Sequence, residues 1–237
     1  MTRALNTYTY TSRKICRLLT SLVLCLVILF PSTLHAQKRK QVQEEPDTIP
    51  FFKGFAVSVN ISGPVVRSLS DYGEYEAALR INLHDQYFPI FELGYGDCDH
   101  YEEVTEVNYS TSAPYFRIGC DFNLLKNKHA DNRLYGGFRY GFTSYNVDIA
   151  RYDQTDPVWE TSSDFIVDGE SCSYHWIEGI IGVDAKIFGP IHLGWNVRYR
   201  RRITGSKTSV GKTWYVPGYG KWGGSRLGAD FCLIIDI

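Results

Sequence analysis

From Gly54 to the C-terminus the chain alternates apolar and polar residues with a period of two, the pattern of β-strands whose faces meet different surroundings. Eight strands are predicted: Gly54 to Ile61, Tyr75 to Leu83, Pro89 to Asp97, Pro114 to Leu124, Arg133 to Asp148, Tyr174 to Phe188, Ile191 to Ile203, and Ser225 to Ile237. One face carries Phe55, Val57, Leu79, Ile81, Phe91, Leu93, Phe116, Ile118, Phe138, Phe142, Ile177, Ile181, Leu193, Val197, Phe231 and Leu233, without a single charge. The other carries Glu76, Arg80, Glu92, Arg117, Asp121, Arg139, Glu178, Asp184, Lys186, Arg198, Arg226, Asp230 and Asp236, so acids and bases nearly balance there.

Alternation does not say which face is inside. A soluble barrel buries the apolar face around a ligand, whereas a membrane barrel turns it to lipid and keeps the charges within. Three features favour the membrane sense. Lys186 is the lone lysine among the cations of the polar face, and arginine is the residue suited to dense pairing in a confined space. Gly94, Gly119, Gly137, Gly141, Gly182, Gly194 and Gly228 share the polar parity, where a narrow interior must fit long side chains between small ones. Connections alternate between long ones of about 13, 16, 25 and 21 residues and short ones of about 5, 8 and 2.

The fold predicted is therefore all-β: an eight-stranded antiparallel up-and-down transmembrane β-barrel with four long extracellular loops and short periplasmic turns. Tyr75, Tyr95, Tyr140, Tyr199 and Trp195, with Tyr87 and Phe88 at a short turn, would supply interfacial aromatics. The alternative is a soluble periplasmic barrel carrying a lipid or other hydrophobic ligand, with the apolar face inside.

The N-terminal segment changes the compartment. Arg3, Arg13, Lys14 and Arg17 precede the apolar run Leu18 to Phe30, then Pro31 and Leu34-His35-Ala36, the order of a secretory signal spanning 1–36. Polar, Pro-punctuated residues 37–50 read as a periplasmic tether, leaving 51–237 for the barrel. The whole chain is 44% hydrophobic, 15% aromatic and 22% charged. Its 25 Lys+Arg face 26 Asp+Glu, a balance that points away from nucleic acid. The four signal cations leave without an acid, so the remainder is mildly acidic.

Ser112-Ala113-Pro114-Tyr115-Phe116-Arg117-Ile118-Gly119, Gly194-Trp195-Asn196-Val197-Arg198-Tyr199 and Trp214-Tyr215-Val216-Pro217-Gly218-Tyr219-Gly220 resemble a family of unknown function from Gram-negative secretomes, regarded as outer-membrane β-barrels. The resemblance covers roughly Phe51 to Ile237 and lies in the size range of OmpA/OmpX-type barrels. It implies an envelope location, brings no reaction, and carries over no catalytic residue. The chain departs from the wider outer-membrane pattern in ending on Ile237 rather than an aromatic.

Beyond the signal stand Cys98, Cys120, Cys172 and Cys232. Cys120 shares the lipid parity and Cys232 the lumen parity, so their Cβ vectors diverge. Cys98 and Cys172 border long loops at one rim and form the candidate disulfide. Asp97, Asp99, His100, Glu102, Glu103 and Glu106 lack the ligand spacing of a Ca²⁺ loop and read as a solvated acidic loop. Arg200, Arg201, Arg202, Lys207, Lys212 and Lys221 surround the last long loop, where they either meet lipid phosphates or acidic loops, or keep a strand end soluble. Ser173 and His175 share the lipid parity and invite comparison with a lipid-modifying barrel hydrolase, but an orienting acid is supplied only by Glu170, in a loop.

The expectation is a non-enzymatic barrel, without metal or cofactor, whose lumen network is Glu76, Arg80, Glu92, Arg117, Asp121, Arg139, Glu178, Asp184, Lys186, Arg198, Arg226 and Asp230. Its loops would serve structure, surface recognition or adhesion. Its partners would be outer-membrane lipid and lipopolysaccharide, with the barrel-assembly machinery during biogenesis.

Overall fold

The computed structural model describes residues 50–155, 162–206, 208–209 and 211–237. The expected signal segment, the tether up to residue 49, and Lys207 lie outside the described residues. The elements run β1 (Phe52–Asn60), α1 (Ser62–Leu69), β2 (Tyr72–Leu83), β3 (Tyr87–Glu102), β4 (Val107–Asn123), β5 (Arg133–Thr155), β6 (Ser162–Phe188), β7 (Ile191–Gly205), β8 (Tyr215–Val216), β9 (Gly220–Lys221) and β10 (Ser225–Asp236). Eight of them close a barrel in the order β1-β10-β7-β6-β5-β4-β3-β2, every pairing antiparallel, while β8 and β9 form a separate ribbon. The terminal strands seal the ring at the turn end, where Phe55 N donates to Ile237 O at 3.1 Å and Ile237 N to Phe55 O at 2.7 Å.

The alternation resolves in the membrane sense. Leu79 and Ile181 point outward, 43% and 64% exposed, while Glu92 and Arg117 point inward at 2% and 0%. The carrier reading, which needs the apolar face inside, is overturned by this orientation. Tyr75, Tyr95, Tyr140, Tyr199 and Trp195 stand on the outer wall as expected. Phe88 does not: it is buried in the lumen beneath the Arg133 guanidinium, 5.2 Å from its ring. Inward glycines make room for large neighbours, since a Cβ on Gly94 would fall inside the Tyr115 ring and one on Gly141 inside Trp176.

Two of the long connections are much shorter than the sequence suggests, because the strands run on. β3 and β4 pair up to Glu102 and Val107, and β5 and β6 continue to Thr155 and Ser162. Their inward positions there are Cys98, Tyr109, Tyr145, Val147 and Ile149, all buried. Asn108, Ser110, Ser112, Asn146 and Asp148 take the outward positions, so the sense of the alternation reverses above the belt and the extensions do not continue the apolar-outside pattern. The first connection holds α1, whose start is satisfied by Asn60 Oδ1 accepting from Ser62 N at 2.9 Å and Gly63 N at 3.3 Å.

Candidate functional site in the barrel lumen

The centre of the lumen is a lattice of guanidinium and carboxylate groups delivered by strands on opposite walls. Arg117, from β4, donates to Glu76 of β2 and reaches Glu92 of β3 at 3.1 Å and Glu178 of β6 at 3.1 Å. Arg198, from β7, meets Glu92 at 3.0 Å, Glu76 at 3.1 Å and Asp230 of β10 at 2.7 Å. Arg139, from β5, holds both oxygens of Asp121 at 2.6 and 2.9 Å and Glu92 at 3.0 Å. Arg80 pairs with Asp184 at 2.6 Å and Asp121 at 3.5 Å, and lies 5.0 Å above the Tyr135 ring. Each carboxylate therefore answers at least one buried cation, the condition under which charge is tolerated away from water.

Two of the residues assigned to this network stand apart from it. Lys186 lies at the turn-end rim, where the strand register shifts between Lys186 and Phe188, and it pairs with exposed Asp131 at 2.8 Å. Arg226 donates to the Lys221 carbonyl at 3.2 Å near the mouth and forms no ion pair among the described residues. Two members were not anticipated: Arg200, assigned to the rim, turns inward to Glu178 at 3.3 Å, and Glu74 lies 3.7 Å from Arg117. Parity already placed Arg200 on the face of Arg198, but the run Arg200-Arg201-Arg202 resembled a solvated strand end.

Above the ions sits an aromatic layer that sequence reasoning missed. Tyr115, Trp176, Tyr174 and Tyr145 share the inward parity with the charges and are buried. Trp176 Nε1 donates to Glu178 at 2.6 Å and Tyr115 OH to Glu76 at 2.8 Å, so each ring caps a carboxylate with its polar edge. The β8–β9 ribbon folds down onto this layer, with Tyr215, Val216 and Tyr219 fully buried. It is tied by Arg117 to the Gly218 carbonyl at 2.7 Å, by Arg200 to the Tyr219 carbonyl at 3.1 Å, and by Tyr109 OH to the Tyr215 carbonyl at 2.9 Å. Gly218 has φ +78°, and a Cβ there would overlap the Tyr115 ring. Only glycine satisfies both demands.

Little space remains. The mid-lumen void is about 20 Å³, room for about one water sphere, between a turn-end vestibule of about 310 Å³ and a mouth-side cavity of about 190 Å³. At the vestibule Asp85, in the turn between β2 and β3, accepts from Lys53 at 2.5 Å, Asn82 at 2.7 Å and His129 at 2.8 Å. Burial works against its charge, but the hydrogen bonds from His129, Lys53 and Asn82 outweigh it and hold the carboxyl at about 2.

The other candidates separate. Cys98 and Cys172 both reach the aromatic layer and are free, buried thiols; the expected bond between them is not made. His175 Nδ1 meets the Tyr140 hydroxyl at 2.8 Å, while Glu170 is engaged by Ser209, so among the described residues no acid orients His175 beside Ser173. Asp97 pairs with Arg67 at 2.7 Å, and His100 stacks on Trp214 at 3.9 Å while meeting Asp71 at 2.8 Å. Arg202 and Lys221 lie over Trp222 and Trp214, at 5.3 and 4.5 Å. Among the described residues no group of three or more His, Cys, Asp or Glu side chains is placed to hold a metal ion.

Among solved structures the chain is similar to Ail, the attachment invasion locus protein of Yersinia pestis, in complex with the heparin analogue sucrose octasulfate. The TM-score is 0.35 at 11% identity, covering 77% of this chain and 93% of that one. Comparison with curated proteins finds no match. A family described as a domain of unknown function, DUF6048, matches residues 15–236, nearly the whole length, and the chain belongs to that family.

Proposed function

We propose that this protein is an outer-membrane β-barrel, sealed to solutes by its ion lattice and capping hairpin, that works by surface recognition or adhesion at its loop end. The observation that carries the reading is the outer wall: Phe55, Leu79, Phe91, Leu93, Phe138, Ile181, Leu193 and Phe231 stand exposed around a closed ring. In water such a belt is an aggregation surface, whereas in hydrocarbon it is what a closed barrel needs. Lipid and lipopolysaccharide would bathe that belt, and the barrel-assembly machinery would insert it.

The sealed lumen directs attention to the ribbons. Tyr101, Tyr152, Phe165 and Ile166 are exposed on the β3–β4 and β5–β6 extensions, apolar groups held beyond the belt on hydrogen-bonded strands, with Val104 exposed in the turn that joins β3 to β4. Exposed apolar residues on a rigid support suit binding to another surface. Membrane fractionation tests the proposal: the protein should enter the outer-membrane fraction, run faster on gels before heating than after, and give no stable channel conductance in planar bilayers. Recovery in a soluble fraction without detergent would contradict the location, and steady conductance would contradict the seal.

A further inference from the structure

The barrel wall is not completed by strand pairing over its whole height. β10 pairs with β1 from Cys232 to Asp236, opposite Asn60 to Ala56; Ile61 N then donates to the Phe231 carbonyl at 2.8 Å, and above that point Ser225 to Asp230 pair with β7 alone. β2 likewise extends beyond β1, from Tyr72 to Glu76, paired with β3. The gap between them is filled by α1. The helix is seated hard on β2, because a Cβ on Gly63 would strike the Glu74 carbonyl and one on Gly73 the Arg67 side chain. Toward β10 it leaves the mouth-side cavity, bounded by Val66 on the helix and by Leu227, Gly228 and Ala229 on the strand. Small residues thin the wall there; a Cβ on Gly228 would have nothing nearer than the Arg200 guanidinium carbon at 4.0 Å.

This opening has two chemical halves. Val65, Val66, Leu69 and Leu227 are exposed on its outer side, continuous with the apolar belt. Lys221 and Arg226 line its inner upper edge, and among the described residues neither has a carboxylate partner. Two cations without a carboxylate partner among the described residues, above an apolar slot, match an anionic headgroup with an acyl chain beneath it.

Resting on the membrane location proposed above, we infer that the α1–β10 seam is a lateral binding site for an anionic phospholipid of the surrounding leaflet, its phosphate held by Lys221 and Arg226 and its chain lying between Val66 and Leu227.

The test is native mass spectrometry of the detergent-solubilised protein with phosphatidylglycerol, phosphatidylcholine or inorganic phosphate, together with photo-crosslinking by a phosphatidylglycerol carrying a diazirine on its acyl chain. The site predicts a one-to-one phosphatidylglycerol adduct, weaker adducts with phosphatidylcholine, no protection by inorganic phosphate, and crosslinks within 62–69 and 225–230. Lys221→Ala and Arg226→Ala should each weaken the adduct about fivefold. Ala229→Phe, on the outward face of β10 beside Leu227, should fill the slot and abolish the crosslink while the gel mobility shift on heating persists. Crosslinks spread evenly around the belt, or an adduct indifferent to all three substitutions, would overturn the site while leaving the membrane location standing. Loss of the outer-membrane fractionation would instead remove the location itself.

Discussion

Arg117 Nη2 donates to the Gly218 carbonyl at 2.7 Å, a bond between the middle of a barrel strand and the tip of a loop 101 residues away. The same guanidinium serves Glu76, Glu92 and Glu178. One side chain thus joins the ion lattice to the hairpin above it, and losing it should disturb both.

Replacing Arg117 with Met takes one shared cation from Glu76, Glu92 and Glu178, which then rest on Arg198, Arg139 and Arg200, and leaves the buried lattice one positive charge short. Breaking a buried ion cluster by removing one member typically costs about 3–5 kcal/mol. Urea unfolding of the variant in lipid vesicles should show a loss of that order, with Arg117→Lys between it and the parent. An unchanged midpoint for Arg117→Met would contradict the burial of these charges.

Gly218→Ala should lift the hairpin without opening the barrel. The substitution strains a residue at φ +78° and drives a methyl group into Tyr115. The expected result is faster proteolysis within 211–224 and altered fluorescence of Trp214 and Trp222, with the heat-dependent gel shift retained. A hairpin as resistant as the parent's would place the ribbon elsewhere.

Cys98 and Cys172 should resist both oxidation and labelling while the aromatic layer is intact. Both thiols are free and buried beside Tyr109, Tyr145 and Tyr174. Mass spectrometry after air oxidation should find them unbonded, and maleimide should reach them only after denaturation. A Cys98–Cys172 peptide on a non-reducing map would contradict the arrangement.

Asp85 supplies a pH signature at the turn end. Its carboxyl is lowered from 3.8 to about 2, so the stabilisation from its charge is fully present above 3.8 and is lost as pH falls through about 2. Carboxyl carbon NMR of the barrel in micelles should titrate Asp85 near that lower value. A midpoint at or above the ordinary one would mean that His129, Lys53 and Asn82 do not brace it.

The barrel was legible because neighbouring residues such as Phe116 and Arg117 demand opposite surroundings, and the same contrast recurs on every strand. The inner end of the site was not. Tyr115 and Trp176 share parity with Arg117 and Glu178 but are apolar enough to suit either face, so alternation gave them no side. The Trp214–Gly220 segment has no period at all; its burial depends on docking against strands far away in the chain. Lys186 failed for the opposite reason, since it keeps the polar parity but sits where the strand leaves the lumen.

Nitroxide labels at Leu79, Phe91 and Ile181, in protein reconstituted into lipid vesicles, measure which medium touches each position. Collisions with dissolved oxygen should be frequent and those with a water-soluble nickel chelate rare at all three, while a label at Ala78, one residue across the pleat, should meet neither. Ready access of the chelate to Leu79, Phe91 and Ile181 would put water where this account puts lipid.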